Sequence, residues 1–225
     1  TDVRAARCGA GLALAEDASL EASGLVVEAV AGHGLCLQDR ASLNARTVRF
    51  ELCGENGAYL QDHASLELSE GKLSDCAGGF AADGGSSLLS RIEFRACRRA
   101  GALLSAGEHV FERCSFAGGP TGLEASGSAT AKLTDASFAN TSGPAAALAR
   151  KAGVVLTGAC VEGCGAGLEL SEDSKLVGSG LVVEGVAGHG LCLLGRSRLN
   201  ARNVNLSQCA ENGIYIKDQT SLELD

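Results

Sequence analysis

The sequence predicts an all-β chain wound as a solenoid of about nine to ten coils, each built from three short strands. Three observations predict it. A frame of roughly 21–23 residues recurs along the whole chain. Within each frame apolar and polar residues alternate over short runs, the period-2 signature of a strand with one face in and one face out. The composition, 45% hydrophobic but only 4% aromatic with no Met and no Trp, leaves Ala, Val, Leu, Ile and Cys to build the core. Small aliphatic side chains suit thin, regular layers.

The frame is plainest where it is most regular. "GLALAEDASLEAS" starts at Gly11, "GLCLQDRASLNAR" at Gly34 and "GAYLQDHASLELS" at Gly57. It continues more loosely at Gly79, Gly101, Gly122 and Ala145, and sharpens again at Gly167, Gly190 and Gly213. In each unit the first strand reads G-L-x-L, as at Leu35 and Leu37. The second carries S-L, as at Leu43. The third alternates, as at Val48, Phe50 and Cys53. Asp, Ser, Gly and Asn between the runs are turn formers. No stretch offers an amphipathic helix with caps. A larger duplication overlies the frame: residues 8–69 align without gaps on residues 164–225, with roughly 39 of 62 positions identical. "SGLVVEAVAGHGLCL" from Ser23 returns as "SGLVVEGVAGHGLCL" from Ser179.

Stacking the frames gives residues a place. Leu12, Leu35, Leu123, Leu168 and Leu191 form an inward ladder in the first strands. A second inward ladder contains Val30, Cys53, Cys76, Cys97, Cys164, Val186 and Cys209. Cys exchanges with Val there and so acts as a small hydrophobe. Coils about 4.8 Å apart bring Cys53 and Cys76 within bridging range, but stacked side chains point the same way. No Cys or His spacing suits zinc, so the thiols are expected to be free, and neither metal nor cofactor is expected.

The pattern "NGIYIKDQTSLEL" resembles the right-handed parallel β-helix repeat of the pectate-lyase-like superfold, over the whole chain. The resemblance implies a right-handed parallel β-helix. It does not imply one function, because that architecture serves lyases, hydrolases, epimerases, adhesins and spacers. A local likeness to polygalacturonases is also present. "GHGLCL" at Gly32 is followed one coil on by "NGAYLQ" from Asn56, and the second copy at Gly188 by "NGIYIK" from Asn212. The acids of that family are missing. The place of its Asp-Asp holds "CGAG" at Cys8 and Cys164, its Asn-Thr-Asp has no counterpart, and its substrate-binding Arg is replaced by Tyr59 and Tyr215. Glycoside hydrolysis needs two placed carboxylates. His33 and His189 are therefore expected to be turn residues at positive φ, exchanging with Asn56 and Asn212, and not to line a cleft with acids.

The outward row of the first strands is expected to read Ala13, Cys36, Tyr59, Ala81, Leu103, Glu124, Ala147, Glu169, Cys192, Tyr215. Glu124 and Glu169 stand two coils apart, about 9.6 Å, near the separation of an inverting pair. They are the acid and base of an enzyme reading. Tyr59 and Tyr215 are ring platforms for a sugar. "SRIEFRACRRA" gathers Arg91, Arg95, Arg98 and Arg99, with Arg91 and Arg95 candidate anion ligands near Glu93, Glu112 and Asp83. Asp17, Asp39, Asp62, Asp173 and Asp218 form a loose row of turn residues.

The net charge of −8 excludes a general nucleic-acid surface. No apolar run is long enough to insert in a membrane. The chain reads as one solenoid domain, residues 1–225, belonging to a longer protein. The leading expectation is a non-catalytic spacer or binding surface for a protein or polysaccharide, with end-to-end self-association through its open coils. The alternative is a carbohydrate-active enzyme or sugar-binding module. The fold by analogy slightly favours an extracellular or cell-surface setting, while free cysteines allow a cytoplasmic one.

Overall fold

A computed structural model describes residues 2–225. They form 23 strands and no helix, hydrogen-bonded in parallel as one continuous sheet that stacks into about ten coils. The strands fall into three ladders. The first runs from Leu12–Leu14 through Leu35–Leu37 and Asn56–Leu60 to Ile214–Ile216. The second starts at Ser19–Ala22 and ends at Ser221–Leu224. The third starts at Asp2–Ala6 and Gly24–Glu28. The expected three strands per coil are often merged: Ser42–Glu51 serves the second and third ladders, and Gly78–Arg95 serves all three.

Merging is possible because most corners between the second and third ladders are a single left-handed residue. Thr47, Glu70, Arg91, Arg113, Asp135 and Asn203 hold it at φ between 50 and 60°. One such residue turns the chain while the strand hydrogen bonds resume beyond it. Another left-handed column follows the third ladder and includes Ala29, Leu52 and Ala96, apolar residues that the turn chemistry of the sequence does not announce.

The inward rows meet the expected register. Leu12 pairs with Leu35, and Leu168 with Leu191. Cys53, Cys76, Cys97 and Cys164 are buried beside Val30 and Val186. Cys114 is buried in a different layer, where Ala136 and Ala159 follow in the next coils. Burial pushes the Cys97 thiol up to about 12 and that of Cys114 to about 11, so both stay protonated. The middle coils, whose sequence is least regular, carry the bulkiest core. All six phenylalanines are buried. Phe94, Phe116 and Phe138 stack at 4.8 and 4.9 Å with planes within 10°.

Glycine at the entrance to the first ladder is a matter of room. A Cβ on Gly34 would lie 2.5 Å from the carbonyl oxygen of Gly57 and 2.9 Å from the Cys53 sulfur. The column of glycines through Gly57, Gly79, Gly101 and Gly122 lets successive coils approach at that edge.

Candidate functional site

The outward row of the first ladder is realised residue for residue. Register pairs run from Ala13 to Cys36, Tyr59, Ala81, Leu103, Glu124, Ala147, Glu169, Cys192 and Tyr215. The row is not flat. Ala81, one coil beyond Tyr59, is too small to fill the space between Tyr59 and Leu103. A groove of about 510 Å³ opens over it. Because the strands are parallel, residues preceding each strand gather at one end of the groove and residues following it at the other. Glu55, Asn56 and Arg99 are at the first end; Asp83, Ser105 and Ser126 are at the second. His33 and Tyr59 wall one side, Leu103 and Glu124 the other.

Two polar chains hold this groove. At its second end Asp83 accepts from two hydroxyls. Tyr59 donates to its Oδ2 at 2.5 Å and the Ser105 hydroxyl donates to its Oδ1. Gln61 Nε2 in turn donates to the Tyr59 oxygen at 2.8 Å. Burial, reinforced by Asp83, pushes the Tyr59 hydroxyl up to about 12, so it remains a donor at neutral pH. At the first end His33 bridges its own coil and the next. Its Nε2 meets Glu55 at 2.8 Å, and its Nδ1 accepts from the backbone N–H of Asn56 at 3.3 Å. The carboxylate therefore fixes the proton on Nε2. Its ring stacks on Tyr59 at 4.7 Å. Burial depresses the His33 pKa, with Glu55 opposing.

This corrects the expectation for the histidines. Neither His33 nor His189 has positive φ. The His-to-Asn succession is a side-chain ladder: the imidazole of one coil receives the N–H of the asparagine in the next. Nor does His33 stand away from acids, for it lines a concave groove with Glu55, Asp83 and Glu124. The long duplication reproduces the arrangement. His189 meets Glu211 at 3.1 Å, accepts from Asn212 N–H at 3.3 Å, and stacks on Tyr215 at 4.7 Å.

The remaining candidates are dispersed. Glu124 and Glu169 lie on the row with Ala147 between them, but only Glu124 reaches the groove. The basic cluster is split by the corner at Arg91, which faces Glu70 at 2.7 Å, while Arg95 stands 3.9 Å from Glu93 on the third ladder. Arg98 donates to the Gly54 carbonyl at 3.1 Å, and Arg99 alone of the four enters the groove. Asp83 neutralises none of them, because its oxygens serve Tyr59 and Ser105. The row of aspartates is out of register by one. Asp17 faces Arg40 in a two-point ion pair at 2.6 and 2.9 Å, repeated by Asp173 and Arg196. Asp39 and Asp62 instead cap the corner of the preceding coil, accepting from the N–H of Glu16 and Asp39. Among the described residues no three His, Cys, Asp or Glu converge as a metal cluster.

Asp83, Ser105 and Arg99 are the groove residues that sequence reading did not assign. Asp83 follows the strand at the position held by Gln38 and Gln61 in the two preceding coils, which was the available signal. Register shifts between Leu104 and Glu108 hid it by loosening the frame.

A family model described as a right handed beta helix region matches residues 79–225. No curated protein matches the chain, and neither does any solved structure.

Proposed function

The chain belongs to the right-handed β-helix family, and from that premise we propose that it is a non-catalytic binding module whose groove over Ala81 takes a hydroxyl-rich ring ligand such as a carbohydrate. One observation carries the reading. Both oxygens of Asp83 are occupied by hydroxyls of the groove itself, and the proton-bearing nitrogen of His33 is occupied by Glu55. That leaves Glu124 as a groove carboxylate, and Arg99 as a groove guanidinium, with no ion pair among the described residues. Glycoside hydrolysis needs a second carboxylate to act with the first. A single free acid, a guanidinium and an aromatic wall suit recognition: polar groups fix orientation, and ring faces stack.

A glycan array with the isolated chain, run beside a reducing-end assay on the glycans it retains, tests this. The expected result is retention without product. Tyr59→Ala removes the stacking wall and is expected to weaken retention by up to about tenfold. Release of reducing ends that disappears in Glu124→Gln would refute the non-catalytic reading. An array with no retained glycan would refute the ligand class.

A further inference from the structure

The groove occupies the first-ladder face; a different face carries a second feature. On the outward side of the second ladder, most rows are Ser, Thr or charged. The central row is an exception: Leu88, Val110, Lys132, Val155 and Val177 follow in register through five coils. Val155 and Val177 are 40% and 52% exposed, two of only five large apolar residues so exposed among those described. Together with Glu108 and Lys175 they line one shallow apolar groove of about 410 Å³. An apolar strip on an otherwise polar sheet marks an interaction surface.

The charges flanking the strip say what covers it. On the N-terminal side stand Glu108 and Glu112, on the C-terminal side Lys175, Arg198 and Arg202. Glu108, Lys132 and Lys175 make no ion pair among the described residues. Across the coils of the strip the face is thus acidic on its N-terminal side and basic on its C-terminal side, with apolar residues between. Such a surface is complementary to itself when turned end for end.

We propose that this face is the interface of a homodimer, two copies packing face to face with their coil axes antiparallel. The two-fold axis runs along the strands, midway between the coils of Lys132 and Val155. Register then fixes the contacts. Glu108 of one copy meets Lys175 of the other, twice by symmetry. Val110 meets Val177, and the alkyl stem of Lys132 lies on Val155. Glu112 falls one coil from Arg202. Parallel coil axes would reverse the strands and set Glu108 against Glu112 of the other copy, which like-charge repulsion opposes. The register brings one like pair together at its edge, Glu67 and Glu223, each already held by an asparagine at 3.2 and 2.6 Å. The eight coils that overlap under this axis, at about 4.8 Å each, by five residues at about 3.3 Å offer on the order of 600 Å² per copy, the low end of a standard interface.

Sedimentation of the full chain over a concentration series tests this. Wild type is expected to form dimers that do not grow further. Glu108→Lys places two like-charge contacts in the interface, as does Lys175→Glu, and each is expected to weaken the dimer by about a hundredfold or more. The double variant Glu108→Lys/Lys175→Glu restores both contacts with the signs exchanged, and most of the affinity returns. Circular dichroism confirms that these surface changes leave the coils folded. A wild-type monomer throughout overturns the proposal. So does a double variant as weak as its parents, or association of any order that ignores these substitutions.

Discussion

Replacing Phe116 by alanine probes the part of the core that the repeat pattern describes least. The ring is buried in the third ladder between Phe94 at 4.8 Å and Phe138 at 4.9 Å, with Phe111 at 5.9 Å. Emptying a fully buried Phe site costs about 3–5 kcal/mol, because the removed atoms lose their transfer energy and leave a cavity. Coils above and below are tied by strand hydrogen bonds and have little freedom to collapse into it. Two parallel stacks, each about 0.5–1.5 kcal/mol beyond area, are lost together, so the cost belongs in the upper half of that range. Phe116→Leu separates the contributions. It retains most of the apolar volume and removes the stacks, for an expected loss of about 1–3 kcal/mol. The chain has no Trp, so urea unfolding is best followed by far-ultraviolet circular dichroism. Hydrogen exchange at Ser115–Ala117 reports local opening, since a solenoid unfolds by coupled neighbours. An alanine variant within about 1 kcal/mol of wild type, together with an unperturbed leucine variant, would refute the reasoning.

Three further outcomes are expected. His109 is 2% exposed, with Nδ1 at 3.0 Å from the Ser87 hydroxyl and Nε2 at 2.9 Å from the Ala106 carbonyl, and burial depresses its pKa. The unfolded chain then binds the proton more readily, so this contribution to stability is full above the ordinary histidine range near 6.5 and is lost as pH falls through the folded value. Urea midpoints taken between pH 8 and 5 are expected to show an acid decline that His109→Gln reduces, and an unchanged decline would disprove the assignment. Cys76→Ser is expected to cost about 1 kcal/mol, the low end for a buried hydroxyl, because the Ser74 carbonyl that receives the thiol at 3.2 Å remains as partner. All ten cysteines are free in the structure, and intact-mass measurement without reductant is expected to give the ten-thiol mass.

Much of the architecture is legible because a parallel solenoid makes sequence offset and spatial neighbourhood the same thing. A step of 22 or 23 residues places Tyr59 beside Cys36 and Ala81, and no other information is needed. The Leu and Cys ladders, the outward row and the twin His–Tyr pairs all follow from that. The reading fails where one residue decides. The aspartate row slipped by one, and the slip exchanges a stack of acids for the Asp17–Arg40 pair. The exchange of His with Asn reads in sequence as a positive-φ turn, and the structure replaces that with a side-chain hydrogen bond to the next coil.

The sequence by itself determined the coil length, the strand faces and the duplication, because those depend on periodicities of two and of about twenty-two that the regular coils at both ends of the chain display. Only the tertiary structure decided what the outward residues do. That Asp83 saturates itself on Tyr59 and Ser105, that Ala81 leaves a groove and that Glu169 stays out of it depend on distances of an ångström between side chains. Those distances are set by the bulges at Leu104 and Ala106 and by the sizes of neighbours one coil away. Periodicity carries no record of either, because a repeat specifies which residues are adjacent and leaves open how their polar groups satisfy one another.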